Sequence, residues 1–249
     1  MDGTIYLGQQ LIEGTPVFLE LLDKQGRKAI FVTNNSSKNR FDYQRKLCKM
    51  GIDIESTAIY TSGEATIRYL LNRSPGANIF LLGTPTLAKD FTDAGFTLVT
   101  DSKPDLVVVG FDTTLTYKKL WQACDYLQDG AAYLATHADL NCPLENGRYM
   151  PDAGAIIKFI EASTGKAPLV IGKPSLHMLE GILTKYSLKK EEIAIVGDRL
   201  YTDMKLGLDA GVTTILVLSG ETNRQMYEQS GLEVSHVFSS IKELAQSLI

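Results

Sequence analysis

The chain has 249 residues, 44% of them hydrophobic and 22% charged, with a formal net charge of −4 at neutral pH. That balance is ordinary globular material, long enough for one large or two modest domains, and the acidic excess argues against a nucleic-acid surface, which needs a basic face. The three cysteines, Cys48, Cys124 and Cys142, are odd in number and form no Cys-x-x-Cys pair, so neither a disulfide framework nor a Cys-rich zinc site is indicated and a reducing cytoplasm is expected. No apolar run approaches the roughly 20 residues of a membrane span, and the first residues lack the basic and apolar regions of a signal peptide.

In chain order, short apolar runs alternate with helical stretches. Residues 28–33 (KAIFVT) read as a buried strand. Residues 37–50 read as a helix stopped by Gly51 at the position after the C-cap. Ile59 and Tyr60 form a short strand, after which Ser62 can cap a helix running to about residue 72. Further strands fall at 78–82 (NIFLL), 105–109 (DLVVV), 132–135, 169–171, 192–196 (EIAIV) and 213–218 (TTILVL). Helices are expected at 117–128, 153–163, 175–185 and 202–210. Continuous apolar strands alternating with helices argue α/β architecture, a Rossmann-like, doubly wound parallel sheet covered on both faces. Two Pro/Gly-bearing stretches, 72–77 (NRSPGA) and 165–168 (GKAP), read as hinges. They divide the chain into a core, residues 1–74 and 168–249, and an inserted α/β domain, residues 75–167. The loop-rich stretch 136–152 would face the active site, since insertions carry specificity.

Four patches lie where α/β sheets place ligands, at the ends of predicted strands. The first is Asp2-Gly3-Thr4. Gly3 permits a sharp turn and Thr4 can hydrogen-bond a neighbouring carboxylate, although Asp-Gly is also a common turn pair. The second is Thr33-Asn34-Asn35-Ser36-Ser37. A hydroxyl and a run of backbone N–H groups opening a helix suit phosphate oxygens, and the same residues would also serve as plain helix caps. The third, Gly172-Lys173-Pro174, offers an ammonium that can offset phosphoryl and carboxylate charge, or simply one more solvated lysine. The fourth, Gly197-Asp198-Arg199-Leu200-Tyr201-Thr202-Asp203, is the most specific. Asp198 ends a strand where Mg²⁺, which prefers oxygen ligands, would bind, and Asp203 follows in the first turn of a helix. Their plainer roles are a strand end and a helix-dipole partner.

Taken together and in this order, Asp-Gly-Thr, Val-Thr-Asn, Gly-Lys-Pro and Gly-Asp-x-x-x-Thr-Asp resemble the haloacid dehalogenase superfamily. The likeness is to the NagD-like (class IIA) phosphatases in particular, which act on sugar phosphates, 4-nitrophenyl phosphate, phosphoglycolate or pyridoxal phosphate. The resemblance runs end to end and includes Thr61-Ser62-Gly63, Ala135-Thr136 with Asp139 and Pro143, and Asp152-Ala153-Gly154. It implies a Mg²⁺-dependent phosphatase of small phosphorylated metabolites, with Asp2 as general acid/base and backbone-carbonyl ligand to the metal. Thr33, Asn34 and Asn35 would hold the phosphate, and Lys173 would orient the nucleophile. Asp198 would ligate the metal with support from Asp203. Residues 75–167 would form a C2-type cap, through which such proteins often dimerise.

The sequence departs from the family pattern in two places. The attacking Asp of Asp-x-Asp-Gly-Thr would immediately precede Met1, so the expectation is a longer polypeptide whose aspartyl-phosphate nucleophile and central strand lie upstream. Where relatives carry Thr-Asn-Pro-Asp, this chain has Thr136-His137-Ala138-Asp139. His137 reads as a tolerated loop residue rather than a substrate contact. A rival reading is a non-catalytic phosphate-ligand module that keeps the metal and phosphate contacts. A dinucleotide enzyme, a P-loop kinase and an α/β-hydrolase fail for want of G-x-G-x-x-G, Gly-Lys-Ser/Thr and G-x-S-x-G.

Overall fold

The structure, a computed structural model, describes residues 1–144 and 147–249. It divides into two compact units, one made of Met1–Val32, Gln44–Ile59 and Ile182–Ile249, the other of Thr33–Tyr43 and Tyr60–Gly181. Among the described residues no helix is long and apolar enough to cross a membrane.

The second unit is built on a five-stranded parallel sheet. Its order is Leu169–Val170, Ala132–Ala135, Leu106–Val109, Asn78–Leu82, Thr97–Leu98. Val107, Val108 and Val109 are all fully buried, as befits a central parallel strand with no solvent face. Alternation along the strands sends Phe80, Leu82, Val107 and Val109 to one face. There they pack with Leu120, Ala123 and Leu127 of the helix Tyr117–Gln128 and with Ile156, Ile157 and Ile160 of the helix Ala153–Thr164. Ile79 and Val108 point the other way and are equally buried, so both faces are covered. At roughly 25 cal/mol per Å² of apolar surface removed from water, burial of this kind is the main stabilising term.

One helix of this unit escapes the reading of hydrophobic runs. Pro85–Asp93 starts where the Thr84 hydroxyl accepts the Leu87 N–H and Pro85 presets the first turn. Its two buried residues, Leu87 and Phe91, stand one turn apart. The hairpin of Asn141–Pro143 with Tyr149–Pro151 occupies the stretch read as loop.

The first unit carries a three-stranded parallel sheet, Ala194–Gly197, Thr213–Val217 and His236–Phe238. The helices Lys205–Ala210, Arg224–Ser230 and Ile241–Gln246 follow its strands in the chain. Near the start, Tyr6–Leu7 pairs with Gln10–Leu11 in a tight hairpin, and the helix Thr15–Lys24 packs on Ile241–Gln246. The expected helix over 202–210 begins earlier and differently, as a π-turn at Leu200–Met204 that passes into the α-helix at Lys205. The helix expected from residue 37 begins at Arg40, because the Asn39 carboxamide oxygen accepts the Phe41 and Asp42 N–H groups at 3.1 Å each. Likewise Thr61, not Ser62, caps the helix Ser62–Arg73 by accepting the Glu64 N–H.

Candidate functional site

In the first unit the first and fourth patches meet. Gly3 turns the chain with φ +77°, a conformation side chains resist, and its N–H donates to the Tyr6 carbonyl at 2.8 Å. The turn brings the Thr4 hydroxyl to Asp198, where it donates to Oδ1 at 2.9 Å. Both residues are buried, each 3% exposed, so this carboxylate is held by specific donors rather than by water. Its other oxygen, Oδ2, accepts the Glu221 N–H at 3.0 Å. The Glu221 carboxylate is in turn held by Arg199 at 2.9 Å, and the Asp198 carbonyl accepts the Thr222 N–H at 3.2 Å.

Two glycines make this approach possible. A Cβ on Gly3 or on Gly220 would stand 2.1 Å from Asp198 Oδ2. Ser219 completes the closure by donating its hydroxyl to the Gly3 carbonyl at 2.8 Å. Residues 219–222 therefore belong to the constellation, although the sequence reading passed over them. The available signal was their position, directly after the apolar run 213–218. Asp203 is buried in the π-turn and packs against Gly197, where a Cβ would meet the Asp203 Cβ at 2.3 Å. Asp2 is exposed beside this cluster in the chain.

Asp198 offers carboxylate oxygens to a ligand. An ionised carboxylate offers about four lone-pair sites, of which the Thr4 and Glu221 donors engage two. Such a carboxylate fits a small hard cation of the Mg²⁺ kind, which prefers oxygen ligands. Among the described residues, the tight group of three potential ligands is a different one, His137, Asp139 and Asp152 of the second unit, whose ligand atoms lie within 4.8 Å of one another. Both ring nitrogens of His137 are already hydrogen-bonded there, to Thr136 and Asp152.

In the second unit the second and third patches meet through Asn34. Its side chain is a fork on the backbone of Lys173. Oδ1 accepts the Lys173 N–H at 2.9 Å and Nδ2 donates to the Lys173 carbonyl at 3.0 Å. Nδ2 also lies 3.3 and 3.4 Å from the two oxygens of Asp139. Asn34 and Lys173 are 6% and 8% exposed, so Lys173 is a built-in group and not a solvated surface lysine. A cis peptide joins Lys173 to Pro174.

The neighbouring loop is ordered by its own side chains. Thr33 Oγ1 accepts the Asn35 N–H at 3.3 Å, and Asn35 Oδ1 accepts both the Ser37 N–H and the Ser37 hydroxyl at 2.9 and 2.7 Å. Ser62 donates its hydroxyl to the Asn34 carbonyl. These bonds fold the loop upon itself ahead of the helix, the Asx-turn geometry, while Asn39 does the capping. His137 lies in a loop, as expected, but it is fully buried there, with Nε2 2.8 Å from Asp152 Oδ1 and Nδ1 2.9 Å from Thr136 Oγ1.

Comparison with known proteins gives a consistent picture. Residues 1–97 match the family model described as haloacid dehalogenase-like hydrolase, and residues 170–244 match a second, HAD-hydrolase-like, model. The acid sugar phosphatase of Staphylococcus saprophyticus is 34% identical over 248 residues, covering 100% of this chain and 95% of that protein. The solved 4-nitrophenylphosphatase of Thermotoga maritima superposes with a TM-score of 0.96 at 47% identity, covering 100% of this chain and 95% of that one. A glycerol phosphate phosphatase from Mycobacterium tuberculosis, solved in complex with magnesium, gives a TM-score of 0.90 at 26% identity, covering 100% of this chain and 76% of that one.

Proposed function

The chain belongs to the haloacid dehalogenase-like hydrolases, and within them to the NagD-like phosphatases; from that premise we propose that it is a Mg²⁺-dependent phosphomonoesterase of small phosphorylated metabolites, with sugar phosphates and 4-nitrophenyl phosphate as the first substrates to try. The reading includes the aspartyl-phosphate route, its attacking carboxylate on a residue preceding Met1, and a cytoplasmic protein that dimerises through a cap formed by residues 75–167 over a core of 1–74 and 168–249.

The observation that carries it is the buried Asp198 carboxylate, clamped by the Thr4 hydroxyl and the Glu221 N–H on the turn that also bears Asp2. A carboxylate this buried, with donors enough to fix it but not to exhaust it, supports a cation site. Asp198 and the Asp2 carbonyl would hold Mg²⁺, with Asp203 supporting them. The bound ion would supply charge to offset that on the phosphoryl oxygens.

The remaining roles fall to the chain's own groups. The Asp2 carboxyl protonates the leaving oxygen, then takes the proton of the water that cleaves the acyl phosphate. Lys173, its backbone locked by Asn34, presents a positive charge to the phosphoryl group and the attacking carboxylate. Thr33 and the loop through Asn35 hold phosphate oxygens. Because the Asn34 side chain is spent on Lys173, that residue contributes its backbone.

The test is hydrolysis of 4-nitrophenyl phosphate with Mg²⁺ by a form of the chain carrying Asp ahead of Met1. Turnover is expected, and it should vanish when that added residue is Asn instead, or when a chelator removes the metal. Absence of turnover in every form, with binding of inorganic phosphate retained, would instead favour a non-catalytic phosphate-ligand module.

A further inference from the structure

The mechanism above makes no use of His137, yet its ring is fully buried in the second unit, and so is Thr136. Ser36 and Asp152 are 1% and 3% exposed. Together the four side chains form one unbroken line. Asp152 Oδ1 is 2.8 Å from His137 Nε2, His137 Nδ1 is 2.9 Å from Thr136 Oγ1, and Thr136 Oγ1 is 3.0 Å from Ser36 Oγ. At the ends, Ser36 Oγ accepts the Phe111 N–H at 2.9 Å and Asp152 Oδ1 accepts the Ala153 N–H at 2.6 Å.

Buried hydroxyls and ring nitrogens must all find partners, and here only one direction of donation satisfies every atom. An ionised carboxylate accepts only, so His137 Nε2 carries the proton. In the neutral ring Nδ1 is then an acceptor, and the Thr136 hydroxyl must donate to it. Thr136 Oγ1 therefore accepts from Ser36, whose oxygen in turn accepts from Phe111. The opposite ring tautomer would aim a lone pair at the carboxylate and leave the Ser36 proton without an acceptor in this line. The other charged group in the cluster, Asp139, is held by Asn34.

We propose that His137 is a positioning residue for the phosphate loop, its tautomer set by Asp152 and passed through Thr136 to fix the Ser36 hydroxyl. This rests on the phosphatase reading for what the loop holds, but not for the line of hydrogen bonds itself. The line ends inside the segment 33–37, and Thr136 also accepts the Gly172 N–H through its carbonyl at 2.8 Å. One strand end thus ties down both the loop and the approach to Lys173.

The test combines three readouts on the full chain. Nitrogen-15 spectra of the three histidine rings, with the His137 signal assigned by its loss in His137→Leu, should show a neutral Nε2–H ring. Thr136→Val, nearly the same shape without the hydroxyl, should speed hydrogen exchange at the Phe111 amide and weaken binding of inorganic phosphate about ten-fold, the worth of a neutral buried hydrogen bond. Thr136→Ser should restore both. His137→Asn, which keeps a near acceptor for Thr136 but falls short of Asp152, should lie between wild type and His137→Leu. A wild-type ring found as imidazolium or as the Nδ1–H tautomer overturns the proposal, as does a Thr136→Val protein with unchanged exchange and phosphate affinity. If wild type binds no phosphate, the function reading fails, while tautomer and exchange still decide the hydrogen-bond line.

Discussion

The Asp198 neighbourhood of the first unit and the Asn34–His137 neighbourhood of the second are both buried and polar, but they are built on opposite principles. Around Asp198 a charged group is gripped by two donors and keeps acceptor capacity in reserve. Around Asn34 and His137 the side chains spend themselves on one another and on the backbone of Lys173. A reserved carboxylate is costly to bury unless something else binds it, whereas a satisfied network is stable and holds one conformation. The first arrangement suits a ligand site, and the second suits the frame that keeps catalytic groups still.

The comparison is broken most directly at Asp198. In the form bearing Asp ahead of Met1, Asp198→Ala is expected to lower kcat/KM for 4-nitrophenyl phosphate by about 10²–10³-fold, the usual cost of losing one preorganised electrostatic group. A loss below ten-fold would show that this carboxylate is structural. Asn34→Ala should act the other way round, on stability first. It strips partners from the Lys173 N–H and carbonyl and should cost about 1–3 kcal/mol in urea unfolding.

Gly220→Ala sharpens the contrast, since its Cβ would press on Asp198 Oδ2 at 2.1 Å. It should cost about 1–3 kcal/mol as an overpacked contact, with activity falling further than it does in Asn34→Ala at equal stability. The smallest effect is expected at Asp90, a half-buried carboxylate that accepts the Asn39 amide N–H at 3.1 Å. Burial pushes its pKa above the usual 3.8, outweighing that hydrogen bond. The folded state therefore holds its proton more tightly than the unfolded chain. Its contribution favours folding at low pH and is lost as pH rises through the folded-state value. Asp90→Asn should flatten that acid-range slope in pH-dependent unfolding and stabilise at pH 7 by about 0.5 kcal/mol or less.

The continuous apolar runs were legible as strands. Those at 78–82 and 132–135 match the observed limits, and the run at 105–109 does so to within a residue. The helix Pro85–Asp93 was not, because only two of its nine residues are buried and its signals are a cap and a proline rather than a run. The π-turn at Leu200–Met204 escaped for another reason: a π-turn and an α-turn differ in backbone pairing, not in composition. At the site, Asp198 and its partner Thr4 could be foreseen from motifs, while Ser219, Gly220 and Glu221 could not, since nothing local marks a backbone N–H that will meet a distant carboxylate. The loop placement of His137 is legible in the sequence, while its burial and its bonds to Thr136 and Asp152 are not, since they depend on how the loop packs.

Taken alone, the order of residues determined the α/β class and the strand ends that would carry carboxylates, hydroxyls and a lysine, since periodicity and turn chemistry are local properties. Folding in three dimensions decided what those groups are bonded to. It made Asn34 a clamp on a backbone 139 positions away, and it made His137 the middle of a buried line. A hydrogen bond depends on the distance and direction between two atoms, and for residues so far apart in the chain only the packed sheet and helices set them.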